Sequence, residues 1–183
     1  MATYSAPSEL QYWFSSVDTD NSGHLSAEEL QKALANGDYT PFNIETVRLM
    51  VNMFDTDQSG TIGFPEFQAL YQYIFQWQQC FRSFDRDQSN SIDRAELSTA
   101  LHTFGFNISE GFVTTLVKQF NKHVGGKKSK GYNGPESITF DNFIQICVTI
   151  RMLTESFRKF DNDSDGMIQI KYEDFLELVV TNK

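Results

Sequence analysis

The sequence predicts an all-α protein: five helix–loop–helix units, two long helices each shared by neighbouring units, and short β-bridges between paired loops. Three observations carry this. A twelve-residue acidic pattern recurs at Asp18–Glu29, Asp55–Glu66, Asp85–Glu96 and Asp161–Tyr172. Apolar residues before and after each pattern recur at helical spacing. Two stretches, Pro65–Phe84 and Asp141–Phe160, run on with no internal breaker and so join one unit to the next.

The spacing inside the pattern names the chemistry. In Asp18–Glu29 (DTDNSGHLSAEE), Asp18, Asp20 and Ser22 occupy positions one, three and five, Gly23 six, Leu25 eight and Glu29 twelve. This is the loop of an EF-hand, suited to Ca²⁺, a hard cation that takes about 6–8 oxygens at about 2.3–2.6 Å. Position seven offers its backbone carbonyl, so His24 is a ligand through the main chain and its ring is not needed. Glu29 opens the exiting helix and can give two oxygens. Gly23 allows the positive φ of the turn. The second loop repeats every feature with Asp55, Asp57, Ser59, Thr61 and Glu66. The third has Asp85, Asp87, Ser89, Ser91 and Glu96, with Asn90 in the glycine position, the residue that next best tolerates a left-handed backbone. The last has Asp161, Asp163, Asp165, Gly166 and Met167 but carries Tyr172 at position twelve. Ligand charge and completeness rank the third loop first, since Asp93 adds a fourth carboxylate, then the first, then the second, where Gly63 leaves position nine to a water. The last loop should be weak, or held by Mg²⁺.

In chain order, Met1–Ser8 reads as a short polar stub before the domain that begins at residue 9. Leu10–Val17 is the helix entering the first loop, with Trp13, Phe14 and Val17 turned inward. Ala27–Ala35 leaves it and is stopped by a left-handed cap at Asn36-Gly37. Asn43 caps a helix to Phe54, with Val47, Met50, Val51 and Phe54 at helical spacing. Pro65, suited to a first helical turn, starts the first shared helix, roughly 30 Å long, with Phe67, Leu70, Tyr71, Ile74, Phe81 and Phe84 at helical spacing. Arg94–Thr103 follows the third loop. Ser109 caps Glu110–Phe120, with Phe112, Leu116 and Phe120 inward. Asp141–Phe160 is the second shared helix, and Glu173–Val180 closes the last hand.

A degenerate fourth hand lies over residues 121–142. Ile138 fills the position-eight role, but the front half is replaced by NKHVGGKKSKGYNGPES and position twelve is Asn142, so no Ca²⁺ is expected there. Lys127, Lys128 and Lys130 read as a solvated loop. Hands pair through their position-eight residues: Leu25 with Ile62, Ile92 with Ile138. That leaves Ile168 with an open edge, and an odd number of hands argues for a twofold dimer through the fifth, using Ile168, Ile170 and Tyr172.

Composition narrows the function. The net charge is −9, and more than half of the 24 acidic residues fall in the four loops, so the acidity is mostly metal-site charge. It argues against general nucleic-acid binding. A 40% hydrophobic content with 17 phenylalanines excludes a disordered acidic tail. Cys80 and Cys147 sit in helical apolar patterns and read as reduced core thiols. No signal-peptide core follows Met1 and no apolar run reaches membrane-spanning length, which points to a cytoplasmic protein with at most peripheral membrane association. His24, His102 and His123 have no companion nucleophile pattern, so the chain is not expected to be an enzyme.

Five hands with a weak fourth and an irregular fifth resemble the penta-EF-hand family, most closely its programmed-cell-death-6 and peflin type. The likeness rests on ALANGDYTPFNIETVRLMVNMFD (Ala33–Asp55), FRSFDRDQSNSIDRAEL (Phe81–Leu97), ITFDNFIQICVTIRMLTESFRKFDNDSDGMIQIKYEDFL (Ile138–Leu176) and the Tyr73–Trp77 region. The resemblance implies a cytosolic and nuclear Ca²⁺-dependent adaptor, dimeric through its fifth hand as a homodimer or a heterodimer with another member. Its implied partners carry proline-rich segments: endosomal-sorting accessory proteins, coat components or annexins. It also implies strong sites in the first and third hands. The chain departs from the family in its intact second loop, its long fourth-hand insertion and its brief N-terminal stub.

The function read from this is a Ca²⁺ sensor and adaptor whose Glu29 and Glu96 shift their helices to open an apolar groove, with Tyr71, Tyr73, Phe75 and Trp77 as wall residues for a proline-rich segment. A Ca²⁺ buffer, and a regulatory subunit dimerising with an enzyme through the fifth hand, remain the alternatives.

Overall fold

A computed structural model describes residues 7–120, 136–163 and 165–181. The stub before Pro7, the Lys127, Lys128 and Lys130 cluster and the front of the fourth hand lie outside the described residues. Among those described, eight α-helices and one two-stranded antiparallel sheet form: α1 Pro7–Val17, β1 His24–Leu25, α2 Ala27–Ala33, α3 Ile44–Phe54, β2 Ile62–Gly63, α4 Phe64–Phe84, α5 Arg94–Thr103, α6 Glu110–Phe120, α7 Phe140–Arg158 and α8 Tyr172–Thr181. The contacts divide the chain into two compact units, Met1–Ile144 and Gln145–Lys183. No helix of the described residues is long and apolar enough to cross a membrane.

In the first unit the position-eight residues do pair. Leu25 stands opposite Ile62 in the sheet, and Ile92 opposite Ile138 in an isolated bridge with both N–H···O bonds at 2.8 Å. All four side chains are fully buried. Each pair ties two loops together. Below the second pair, aromatic rings interlock edge to face: Phe81 with Phe140 at 5.3 Å and Phe143 at 5.6 Å, and Trp77 with Phe143 at 5.8 Å. Such geometry sets the positive ring edge against a neighbour's negative face.

Helix termini follow local chemistry. Ser26 and Asp93 each accept the backbone N–H three residues on, from Glu29 and Glu96, while those glutamates reach back to the cap N–H groups, completing capping boxes. At α4 the cap is Gly63, which has no side chain, so Glu66 supplies the reach-back bond alone, to the Gly63 N–H at 2.9 Å. Asn43 caps α3 through the Glu45 N–H.

Three expectations need correction. Helix α2 stops at Ala33, and Leu34 is extended; residues 35–41 form a loop pinned by an Ala35–Pro41 bridge. The left-handed residue there is Tyr39, with φ 65°, and not Gly37. The end of α2 is thus set by tertiary bonds: the Gln31 side chain donates to the Phe42 carbonyl at 2.7 Å, and the buried Asn36 accepts from the Asp141 N–H at 3.0 Å. On α1, Leu10 and Phe14 are buried while Trp13 is half exposed, at 50%. On α6 the buried residues are Val113 and Val117; Phe112 is exposed, and Leu116 and Phe120 are only partly covered. In both helices several apolar stripes fit the helical period, and the neighbours choose which one is covered.

The second unit has buried Ile146, Cys147, Val148 and Ile150 on α7. Its last hand is open to solvent: Tyr172, Phe175, Leu176, Val179 and Val180 on α8 and Met167 in the loop are exposed. Ile168 and Ile170 are partly covered, and no β-pairing involves them among the described residues.

Replacing Phe143 by Ala should destabilise the protein by about 3–5 kcal/mol in urea unfolding, because a fully buried ring leaves a cavity among rings that cannot close it. Phe112→Ala, on the exposed stripe, should cost clearly less.

Candidate metal centres

Each of the four acidic loops gathers three carboxylates whose nearest oxygens lie within 4.8 Å of one another: Asp18, Asp20 and Glu29; Asp55, Asp57 and Glu66; Asp85, Asp87 and Glu96; Asp161, Asp163 and Asp165. Oxygens on opposite sides of one Ca²⁺ are about 5 Å apart, so each cluster matches the span of a single ion.

The backbone makes that convergence possible. Gly23, Gly60 and Gly166 at position six have φ near 80°, and Asn90 takes the same left-handed turn at 60°. Position four is also left-handed in the first three loops, at Asn21, Gln58 and Gln88, which sequence reading had missed. Of these, only Asn21 is of a type that visits that region readily, so the glutamines gave no sequence signal. With the chain turned twice, N–H groups point inward. In the first loop the Ser22 N–H donates to Asp18 and Asp20 and the Gly23 N–H to Asp18, all near 3.0 Å. The second and third loops repeat this on Asp55 and Asp57, and on Asp85 and Asp87.

Position five and position seven come together in the first three loops. The Ser22 hydroxyl donates to the His24 carbonyl at 2.9 Å, Ser59 to Thr61 at 3.2 Å and Ser89 to Ser91 at 3.0 Å. Two more oxygens are thereby held beside each carboxylate cluster. The His24 ring instead lies across β1 and β2, within 4 Å of the place a Gly63 side chain would occupy.

The loops differ most at position twelve. Glu29 accepts from the Thr19 N–H and hydroxyl on one oxygen and from the Ser26 N–H and hydroxyl on the other, at 2.7–3.0 Å. Those bonds hold its carboxyl well below the usual range, at about 2, the Ser26 N–H and hydroxyl being the strongest cause. Glu66 accepts the Thr56 N–H and hydroxyl on one oxygen and the Gly63 N–H on the other, and is also lowered, chiefly by Gly63. Glu96 accepts one backbone N–H per oxygen, from Arg86 and Asp93. A carboxylate has about four acceptor sites. Glu29 has all of them used by loop donors, Glu66 three and Glu96 two. In the last hand position twelve is Tyr172, 75% exposed and with no carboxylate to offer.

The donor sets are all hard oxygens, the chemistry Ca²⁺ prefers. In the last loop the Asp161 Oδ1 is buried with no hydrogen-bond partner, an arrangement a cation would satisfy. Asp93 is placed differently from the reading of it as a fourth ligand: its side chain takes the Glu96 N–H at 2.8 Å as the α5 cap, and it is not one of the clustered carboxylates.

Away from the loops, the four aromatic residues of α4 split between two faces. Tyr71 and Phe75 line an apolar groove of about 590 Å³ together with Tyr12, Trp13, Leu34 and Phe42. Tyr73 packs on Phe54, and Trp77 on Phe104 and Phe143. The helices walling the groove are those that flank loops: α1 enters the first, α2 leaves it with Glu29 in its first turn, and α4 leaves the second with Glu66 in its first turn.

Comparison with known proteins agrees with this geometry. A family model of an EF-hand domain pair matches residues 7–72 and 74–180. The chain is 40% identical over 174 residues to sorcin of Mus musculus, covering 93% of this chain and 82% of that one. It is 38% identical over 173 residues to peflin of Danio rerio, covering 94% of this chain and 61% of peflin's length. A solved structure of a homolog of programmed cell death 6 protein from Leishmania major Friedlin superposes with a TM-score of 0.74 at 29% identity, covering 97% of both chains.

The hydrogen bonds onto Glu29 make a pH prediction for the metal-free protein. Its folded-state value is depressed, so its contribution to stability is complete above the usual carboxylate range and is lost as pH falls toward about 2. Carboxylate NMR titration should show Thr19→Val and Ser26→Ala each raising the Glu29 value toward the usual range. An unmoved value in both would mean that the hydroxyls do not hold the group.

Proposed function

The chain belongs to the penta-EF-hand family of calcium-binding proteins, and we propose that it is a Ca²⁺ sensor that docks proline-rich segments of partner proteins in the groove between α1, α2 and α4. The observation that carries the proposal is the composition of that groove. Two aromatic residues from the helix entering the first loop, Tyr12 and Trp13, face two from the helix leaving the second, Tyr71 and Phe75. Aromatic walls grip proline rings, and a preformed extended segment loses little entropy on binding.

The proposed ligands are Asp18, Asp20, Ser22, the His24 carbonyl and Glu29; Asp55, Asp57, Ser59, the Thr61 carbonyl and Glu66; and Asp85, Asp87, Ser89, the Ser91 carbonyl and Glu96. Asp161, Asp163, Asp165 and the Met167 carbonyl form a weaker fifth site, open to Ca²⁺ or Mg²⁺. When bound, Ca²⁺ supplies a divalent charge on which the loop oxygens converge. Glu96 can engage with two free acceptor sites. Glu66 has one free site, and Glu29 must release loop hydroxyls first. This ranks the third loop above the second and the second above the first, whereas ligand charge and completeness placed the first above the second. Any movement of Glu29 or Glu66 shifts α2 or α4 against α1 and reshapes the groove. Only a difference in groove affinity between the two states makes this a switch.

The last hand serves as a dimer surface in this reading, with Ile168, Ile170 and Tyr172 beside the exposed apolar face of α8, joined either to a second copy or to another family member. A regulatory subunit bound to an enzyme would use the same surface.

Calorimetric titration of a proline- and tyrosine-rich peptide should show binding with saturating Ca²⁺ and none with chelator. Tyr71→Ala should weaken that binding by about 2 kcal/mol, the scale of a buried aromatic anchor. No binding in either state would overturn the docking reading.

A further inference from the structure

Residues 34–43 touch the groove at both ends of their path and the third calcium loop between them. Leu34, Ala35 and Phe42 line the groove. Between them, Gly37 lies against Asn90, the residue at position six of the third loop: a Cβ on Gly37 would stand 2.7 Å from the Asn90 Cβ and 3.2 Å from its Cγ. Because the Asn90 Cβ is fixed to the backbone, it cannot swing clear as a side-chain tip could. Gly37 is not in the left-handed region, so what requires glycine there is the space Asn90 occupies and not the backbone conformation.

Hydrogen bonds within the segment tie its two arms together. Ala35 and Pro41 are bridged, the Asn36 N–H donates to the Thr40 carbonyl at 2.8 Å, and the Asn36 amide donates to the Thr40 hydroxyl at 3.2 Å. Its two ends converge on one buried residue, Asp141, through its backbone N–H and its carboxylate. The Asp141 N–H donates to Asn36, and Asp141 accepts the Asn43 N–H at 2.6 Å. On the loop side, the Asn90 N–H donates to Asp85, the position-one carboxylate, at 3.0 Å. Any shift of Asp85 on metal binding therefore reaches Asn90 directly.

We infer that the third calcium loop controls the groove between α1, α2 and α4 through the Asn90–Gly37 contact, so that occupancy of the third hand is read at a surface built from the first two. The use of the groove rests on the docking reading above; the coupling does not. Packed elements with discrete arrangements carry such linkage, typically about fivefold to 150-fold in affinity.

The test follows Trp13 emission in the groove while Ca²⁺ alone is added. The protein carries Trp77→Phe, which leaves Trp13 as the lone tryptophan of two, and Glu29→Gln with Glu66→Gln, which disable the first two loops. Trp13 should respond as the third loop fills. With Ca²⁺ raised until calorimetry shows the third loop saturated in each protein, Asn90→Gly should abolish the Trp13 response. Gly37→Ala should weaken third-loop binding about fivefold or more, and adding Asn90→Gly should restore it, which also shows that the single variant was not simply misfolded. A silent Trp13 in the parent, a full response in Asn90→Gly, or wild-type binding by Gly37→Ala would each overturn the coupling. No peptide is present, so failure of proline-rich peptides to bind leaves this result standing.

Discussion

Everything in this molecule turns on one carboxylate per hand, the position-twelve glutamate that closes a calcium loop onto the helix leaving it. It sits in the first turn of that helix, where it completes or replaces the helix cap, and it reaches across the loop to the N–H of position two. A side chain with those two attachments makes loop geometry and helix direction a single variable. Where it is missing, at Tyr172, the loop still collects three aspartates, but among the described residues no carboxylate of α8 joins them.

The same residue explains why loops of nearly identical sequence need not behave alike. Ligand charge is one determinant of affinity; the other is what the ligand already holds. A threonine at position two and a serine at position nine make the first loop self-satisfied, whereas Arg86 and Asp93 in the third leave the glutamate half free.

Much of this could be read from residues. The loops were legible because their chemistry is local: ligands at fixed spacing, a residue tolerant of positive φ at position six, an apolar residue at position eight that must pair. The helices were legible to within a few residues for the same reason, α5 and α6 in full. What escaped was set by distant neighbours. Trp13 and Phe112 fit a helical stripe as well as Phe14 and Val113 do, and only packing decides between them. The end of α2 depends on Asp141, more than a hundred residues along the chain. The aromatic residues of α4 were visible as a group, but their division into a groove face and a core face required the positions of α1 and α3.

The central claim is that the position-twelve glutamates, and not the number of aspartates, decide which hands bind Ca²⁺ tightly. Calcium calorimetry on the whole chain tests it most directly. The account predicts three tight equivalents, from the loops with Glu29, Glu66 and Glu96, and a separate weaker one from the loop ending in Tyr172. Tight filling of the last hand ahead of any of the first three would contradict it.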